Sequence, residues 1–320
     1  MNIVVKKTNE MSLFEKKKIC NLFFEVFGIV KGIDEFLFQF EKNEFEYSYF
    51  GLLYDGNDIV GSYAVIPFHY KYYKKNVIFG QSVDTMIKKE YRGNPFLLKK
   101  LANLTYSKLK EDGISFVFGF PNKDIYLVRK RILGWKDIDN LSVYIAPINM
   151  DKFYSRLRFL NIFAKYILSF LSFVAVRFKS EGSNRKNIKK TRTKSYLKYR
   201  YFSGYSCIKL DKETSVTYII KIIKGIRFAI IVNLYPASKF SLASSVKTLS
   251  ETLNNIDVVM YIGHIDKVPI NIFKVPNFID MNKINFCGKI LNKDIVNNSI
   301  FDVNNWKVNV ENFIFINCIP

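Results

Sequence analysis

Between Tyr47 and Ile145 the spacing of apolar residues switches repeatedly between a period of two and a helical period, which restricts the chain to an alternating α/β layout. Tyr47–Tyr54, the Asp55-Gly56 turn and Ile59–Ile66 predict a hairpin whose second strand ends at Pro67. Phe68–Tyr73 and Val77–Ile87 predict two more strands. The period then becomes helical: Phe96, Leu97, Leu101, Leu104 and Leu109 share a face up to Asp112, and Gly113 supplies a left-handed stop. Ile114–Phe120 reads as a buried strand, Asp124–Leu133 as a helix closed by Gly134, and Trp135–Ile145 as a further strand. Upstream, Leu13, Ile19, Leu22, Phe23 and Val26 predict a helix over Leu13–Phe27 stopped by Gly28, with a shorter helix over Ile33–Phe40.

The later part repeats the α/β theme, with buried strands at Phe228–Leu234 and Val258–Ile262 and a helix over Ser241–Leu253 between them. A length of 320 residues suits two domains. The expected division is a domain over 1–150, an apolar helix and basic linker over 151–193, and a smaller α/β domain over 194–320.

The linker is placed by charge. Forty-nine basic residues against 28 acidic ones give a net charge of +21, and residues 152–202 hold fourteen of the basic residues against one acid, Glu181. Such a run suits a phosphorylated ligand, an anionic lipid surface or nucleic acid. Lysine outnumbers arginine 39 to 10, and no helix-turn-helix, zinc-finger or aromatic RNA-binding pattern is visible, so a solvated linker is expected and nucleic-acid binding is not. The apolar Phe153–Phe178 stretch reads as a helix packed between domains, or as a contact with a membrane surface or a second copy. Its core, Tyr166–Val176, is shorter than the ~20 residues a spanning helix needs.

Four cysteines (Cys20, Cys207, Cys287, Cys318) stand far apart with no Cys-x-x-Cys or His cluster, so neither a disulfide framework nor a zinc site is expected. The apolar run Ile3-Val4-Val5, ended by Lys6, is too short for a signal-peptide core, and a reducing cytoplasm is the expected compartment.

Chemistry concentrates where the Val77–Ile87 strand turns through Tyr91-Arg92-Gly93-Asn94-Pro95 into a helix. A helix start aims free N–H groups and the positive dipole end at one point, a natural place for an anion. Asp84 lies on the strand before that turn, on the face of Ser82 and Met86 by alternation, where its carboxylate can take a proton and where desolvation would favour that role. Orienting a substrate amine is the competing role. Gln81 and Asp84 share no face unless a bulge intervenes. The two histidines, His69 and His264, have no triad-like or metal-like neighbours in sequence; His69, beside Phe68 and Tyr70, is the one that can face an acceptor.

Asp84-Thr85-Met86-Ile87, Tyr91-Arg92-Gly93, Phe118-Gly119-Phe120-Pro121-Asn122 and Leu133-Gly134-Trp135, in this order around one helix, resemble the core of the GNAT acyltransferase superfamily over roughly residues 1–147. The resemblance implies a mixed, twisted sheet flanked by helices and an acyl-coenzyme A co-substrate with no metal. It assigns Arg92, Gly93 and Asn94 to the coenzyme pyrophosphate and Asn122 to its pantetheine arm. It also gives backbone N–H groups near Met86 and Ile87 to the oxyanion. Pro95 departs from the motif, standing where its first glycine is expected. The usual general-acid Tyr position is Lys130, which leaves Tyr126, one turn earlier, as the candidate donor to the departing thiolate.

A second resemblance, on Leu197–Phe202 and Phe301–Trp306, is to GNAT-type sugar N-acyltransferases of surface-polysaccharide assembly. It implies an acetyl or hydroxybutyryl-type transfer to a nucleotide-linked amino sugar, of which a thymidine-diphosphate-linked 3-amino-3,6-dideoxyhexose is the leading example. Tyr199 and Arg200 are then the residues to stack its base and hold its diphosphate. An aminoacyl-tRNA-dependent transferase with tandem domains and a non-catalytic basic module remain as alternatives.

Overall fold

The computed structural model describes residues 1–149, 160–177, 186–202, 204–275 and 284–313. In chain order the strands and helices are β1 (Asn2–Lys7), α1 (Leu13–Phe27), α2 (Ile33–Glu41), β2 (Tyr49–Asp55), β3 (Asp58–Tyr72), β4 (Lys75–Ile87), α3 (Pro95–Glu111), β5 (Ile114–Gly119), α4 (Lys123–Arg131), β6 (Lys136–Pro147), α5 (Leu160–Arg177), β7 (Ile188–Lys190), α6 (Lys194–Arg200), β8 (Tyr205–Lys209), β9 (Ser215–Ile223), β10 (Ile226–Tyr235), α7 (Lys239–Thr252), β11 (Val258–Gly263), β12 (Phe273–Lys274) and β13 (Ile284–Ile290). The expected mixed α/β class is what the chain adopts.

The chain divides into two compact units, and they are interleaved in sequence rather than consecutive. The first comprises Met1–Asn140, Asn187–Tyr199 and Ile284–Asn305; the second comprises Leu141–Lys186, Arg200–Lys283 and Trp306–Pro320. The expected boundaries at 150 and 194 therefore differ from the observed ones. Part of the expected linker is strand β7, paired with Tyr70–Tyr72 of β3, and β13 returns from far along the sequence to pair with β5. Linker residues 178–185 and the start of the expected Phe153–Phe178 helix, up to residue 159, lie outside the described residues.

In the first unit the sheet runs β1-β2-β3-β4-β5-β13, antiparallel except for the parallel β4/β5 pair. Alternation on β2 places the helices. Phe50 packs its ring 5.6 Å from Phe36 of α2, whereas a Cβ at the neighbouring Gly51 would stand 2.2 Å from Thr105 Oγ1 of α3. Helices α2 and α3 thus cover opposite faces. Helix α1 begins in a Ser12/Glu15 capping box and ends at Gly28 with φ +70°, as its sequence signals require.

Pro67 does not end a strand; β3 runs through it. The β2 ladder along β3 stops at Val65 and the β7 ladder starts at Tyr70. His69, two residues further along, turns its carbonyl towards Thr191, so Pro67 faces the same side, in the stretch where no strand asks for an N–H.

Asp112, at the end of α3, accepts hydrogen bonds from Tyr49 Oη (2.9 Å), Lys7 Nζ (2.8 Å) and Lys108 Nζ (3.0 Å). Burial pushes its carboxyl up, but these bonds outweigh burial and bring it to about 2. A folded-state value below the unfolded one contributes stability above about pH 4 that is lost as pH falls towards 2. Asp112→Asn is accordingly expected to lower Tm at pH 7 and to flatten the fall of Tm between pH 4 and 2, measured by calorimetry.

In the second unit β6-β11-β10-β9-β8 form the sheet, β10/β11 parallel and the others antiparallel, with α7 packing Leu242, Val246 and Leu249 on it. Helix α5 turns Leu168, Ser172 and Ala175 inward and leaves Tyr166, Ile167, Phe170 and Phe173 exposed. No helix among the described residues is long and apolar enough to cross a membrane.

Candidate active site

The pairing of β4 with β3 breaks at one place. Ala64 faces Val83 and Ser62 faces Met86, so Tyr63 alone opposes both Asp84 and Thr85. The extra residue makes a β-bulge, and Asp84 takes the left-handed conformation at φ +43°, which side-chain-bearing residues seldom adopt. Sparsely populated conformations of this kind concentrate at functional sites.

The bulge resets strand alternation. Ser82 and Thr85, three residues apart, both meet Arg129 of α4: its Nη2 donates to Ser82 Oγ (3.1 Å) and Thr85 Oγ1 (3.2 Å). Asp84 instead turns to the α2 side, where its Oδ2 accepts from Lys31 Nζ (2.6 Å) and Gln39 Nε2 (3.2 Å). The expectation that Asp84 shares a face with Ser82 is thereby corrected. Gln81, alternating with Ser82, faces the same side as Asp84; it is buried, and its Oε1 has no hydrogen-bond partner.

Nor does desolvation act on Asp84 alone, since its carboxylate is paired with Lys31. Lys31, 8% exposed, reaches Gln39 Oε1 (2.8 Å) as well as Asp84, and its ammonium lies 3.9 Å from the Phe23 ring centroid. The pair leaves Asp84 Oδ1 without a hydrogen bond among the described residues, an acceptor open to a cationic or amine group.

On its other edge β4 loses its neighbour beside the bulge. The β4/β5 pairing ends at Gln81 with Phe118, β5 stops at Gly119, and β4 continues unaccompanied to Ile87. Lys88 donates to Val60 O (2.9 Å), so Met86, two residues away, also directs its N–H to β3, and Ile87 directs its own to the open side. Of the two expected oxyanion donors, only Ile87 therefore faces the gap. Arg92 Nε donates to Ile87 O (2.8 Å), laying the guanidinium along the same edge with both Nη groups unbonded.

The start of α3 is self-capped. Asn94 Oδ1 accepts from Phe96 N (3.0 Å), Leu97 N bonds to Asn94 O (3.2 Å), and Pro95 has no N–H. Asn94 thus occupies the position its expected ligand would take, and Arg92 is the charged group left for a pyrophosphate. Gly93 is exposed beside it. Asn122 caps α4 in the same way, its Oδ1 accepting from Ile125 N (3.2 Å), while its Nδ2 makes no bond among the described residues and remains a donor.

Four other expected site residues lie elsewhere. His69 stands on β3 six residues from Tyr63, about 20 Å along the strand, with its ring stacked on Phe45 at 4.5 Å. Tyr126 donates to Asp137 Oδ1 (2.9 Å) and accepts from Lys130 Nζ (3.3 Å). Burial, then the Asp137 bond, raises its hydroxyl, so the proton is held within an exposed α4 cluster. Tyr199 is core: it stacks on Phe38 (5.6 Å) and donates to Gln39 O (2.9 Å). Arg200 is structural in the second unit, donating from Nε to Glu311 O (3.1 Å), from Nη2 to Val310 O (2.9 Å) and from Nη1 to Tyr205 Oη. A short helix whose aromatic residues pack inward cannot also stack a base.

Lys31, Gln39 and Arg129 are functional candidates that sequence reading passed over. Arg129 had one signal: α4 starts at the Asn122 cap, and Arg129, adjacent to the general-acid position at Lys130, lies at a helical spacing that points inward. Among the described residues no group of three His, Cys, Asp or Glu is placed to hold a metal ion.

Residues 8–136 match the family described as acetyltransferase (GNAT) domain. No curated protein matches the chain. Among solved structures, a GCN5-related N-acetyltransferase from Anabaena variabilis ATCC 29413 is similar over 90% of this chain and 73% of its own, with 14% identity and a TM-score of 0.59. Eis1 from Mycobacterium abscessus is similar over 92% of this chain and 75% of its own, at 11% identity and a TM-score of 0.55. A GCN5-related N-acetyltransferase from Kribbella flavida gives 90%, 71%, 10% and 0.56 for the same quantities. At these identities the likenesses show the fold.

Proposed function

We propose that this chain, whose residues 8–136 match the acetyltransferase (GNAT) domain family, transfers an acyl group from a coenzyme A thioester to a primary amine by direct attack. The observation that carries the reading is the Asp84–Thr85 bulge beside the open edge of β4. One side of that bulge offers the Ile87 N–H and Arg92 to a thioester arm; the other offers Asp84 Oδ1 to an amine. The amine nitrogen forms the new N–C bond, the C–S bond breaks, the thiolate leaves, and the proton lost by the amine passes through Asp84 or a water on it to solvent. The Ile87 N–H is the donor for charge developing on the carbonyl oxygen. Asp84 acts chiefly by orienting the amine, because its second oxygen is already fixed by Lys31 and Gln39.

The narrower acceptor, a nucleotide-linked amino sugar, is supported by the resemblance of residues 197–202 and 301–306. Tyr199 and Arg200 make other bonds in the structure, so this acceptor would need different residues for its nucleotide. The test is coenzyme A release from acetyl-CoA in the presence of a panel of primary amines, amino sugars and thymidine-diphosphate amino sugars included. Release that depends on one amine class, with an N-acyl product by mass, is the expected result. Hydrolysis that ignores every amine would sink the reading.

A further inference from the structure

The arrangement described above uses Arg129 only in part. Arg129 is 3% exposed and forms no ion pair among the described residues. Nη2 is satisfied by the Ser82 and Thr85 hydroxyls, and the guanidinium lies 4.4 Å from the Trp135 ring centroid. Nε and Nη1, which carry three N–H bonds between them, are buried and reach no acceptor. A guanidinium keeps its charge throughout the range in which proteins fold, so deprotonation gives no relief, and burial without a counter-charge is costly.

The place of this unsatisfied charge is specific. A Cβ at Gly119, the last residue of β5, would stand 2.6 Å from Arg129 Nη1 and 2.9 Å from Ser82 O. The guanidinium therefore lies where β4 and β5 part, next to the bulge. Two of its hydrogen bonds hold the bulge; the remaining three N–H bonds reach no acceptor among the described residues.

We propose that Arg129 is a specificity-determining anion receptor, and that one of the two substrates carries a carboxylate which it binds. The proposal rests on the acyl-transfer reading. The carboxylate has two sources, the far end of a dicarboxylic acyl thioester or the α-carboxylate of an amino-acid acceptor. In both cases the planar carboxylate receives charge-assisted N–H bonds from a group already held in position, and a neutral analogue leaves them empty.

Two matched pairs separate the sources in the full chain: succinyl-CoA against acetyl-CoA with one amine, and phenylalanine against phenylalanine amide with acetyl-CoA. In one pair the carboxylated member is expected to have the higher kcat/KM, and Arg129→Leu is expected to lower that ratio by about 100-fold. Arg129→Lys, which keeps the charge if the leucine variant fails to fold, should lower it less. A packing role alone would depress both members together and leave the ratio unmoved. A wild-type preference for the neutral member in both pairs, or an unchanged ratio in the variants, overturns the proposal. A second readout separates it from the acyl-transfer reading: sodium succinate against sodium chloride at equal ionic strength in a thermal melt. A succinate-dependent rise in Tm that Arg129→Lys diminishes, without any acyl transfer, supports the carboxylate site and removes the reaction. Neither a rise nor transfer overturns both.

Discussion

Asp84→Asn is expected to lower kcat/KM for acyl transfer by about 100-fold, the scale of effect seen when a reacting group loses its orientation. The substitution keeps the shape of the side chain but presents the incoming amine with a neutral amide. It also leaves the Lys31 ammonium, itself 8% exposed, beside an uncharged partner. Breaking a buried ion pair from one side costs about 3–5 kcal/mol, so stability falls with activity and the two losses have to be separated. Lys31→Met combined with Asp84→Asn separates them, because it removes both charges and fills the space against Phe23 and Phe40. Denaturant melts should show the double variant recovering most of the lost stability while its rate stays low. A rate that recovers together with stability would make Asp84 a structural residue only.

Gly119→Ala is expected to cost about 2–3 kcal/mol, an overpacking penalty, and to lower kcat by more than the same loss of stability elsewhere in the first unit. The added Cβ would meet the Arg129 guanidinium at 2.6 Å and the Ser82 carbonyl at 2.9 Å. The carbonyl belongs to β4 backbone and cannot swing aside. Relief must come from Arg129 leaving Ser82 and Thr85, which unpins the bulge, or from β5 moving outward. Urea midpoints paired with initial rates test this. As a control, Gly93→Ala, where an added Cβ meets nothing within 4 Å, should leave the midpoint near the wild-type value. An unchanged midpoint and rate for Gly119→Ala would mean that the gap between β4 and β5 is roomier than the structure shows.

Local signals in the sequence were sufficient for most elements of the first unit. Gly28, Gly113 and Gly134 sit at helix ends with positive φ, and the period changes around Phe96 and Ile114 match α3 and β5. In the second unit β10 and β11 cover the predicted strands, and α7 covers the predicted helix but for Leu253. What local pattern could not supply was long-range pairing. Strand β13 completes the first sheet from residues 284–290, and β7 adds to β3 from within a basic stretch, because strand addition depends on an available edge rather than on nearby residues.

The site divides in the same manner. Asp84, Gln81, Ile87, Arg92 and Asn122 were legible as candidates because they follow a motif along β4, the turn after it and the turn after β5. The bulge that reorients Asp84 was not, since it replaces strict alternation at a position with no glycine to announce it. Lys31 and Gln39 reach Asp84 from 53 and 45 residues away. Tyr199 and Arg200 were overread: a helix rich in Lys, Arg and Tyr suits a nucleotide, but these two side chains serve packing and backbone carbonyls instead.

The claim on which the rest depends is that a coenzyme A thioester lies along the open edge of β4. Hydrogen–deuterium exchange of the full chain with and without acetyl-CoA, read on peptides covering residues 82–88, tests it directly. Protection of those peptides, where the Ile87 N–H has no strand partner, is the predicted result. Acetyl-CoA-dependent protection confined to other peptides, or none at saturating acetyl-CoA, would contradict the account.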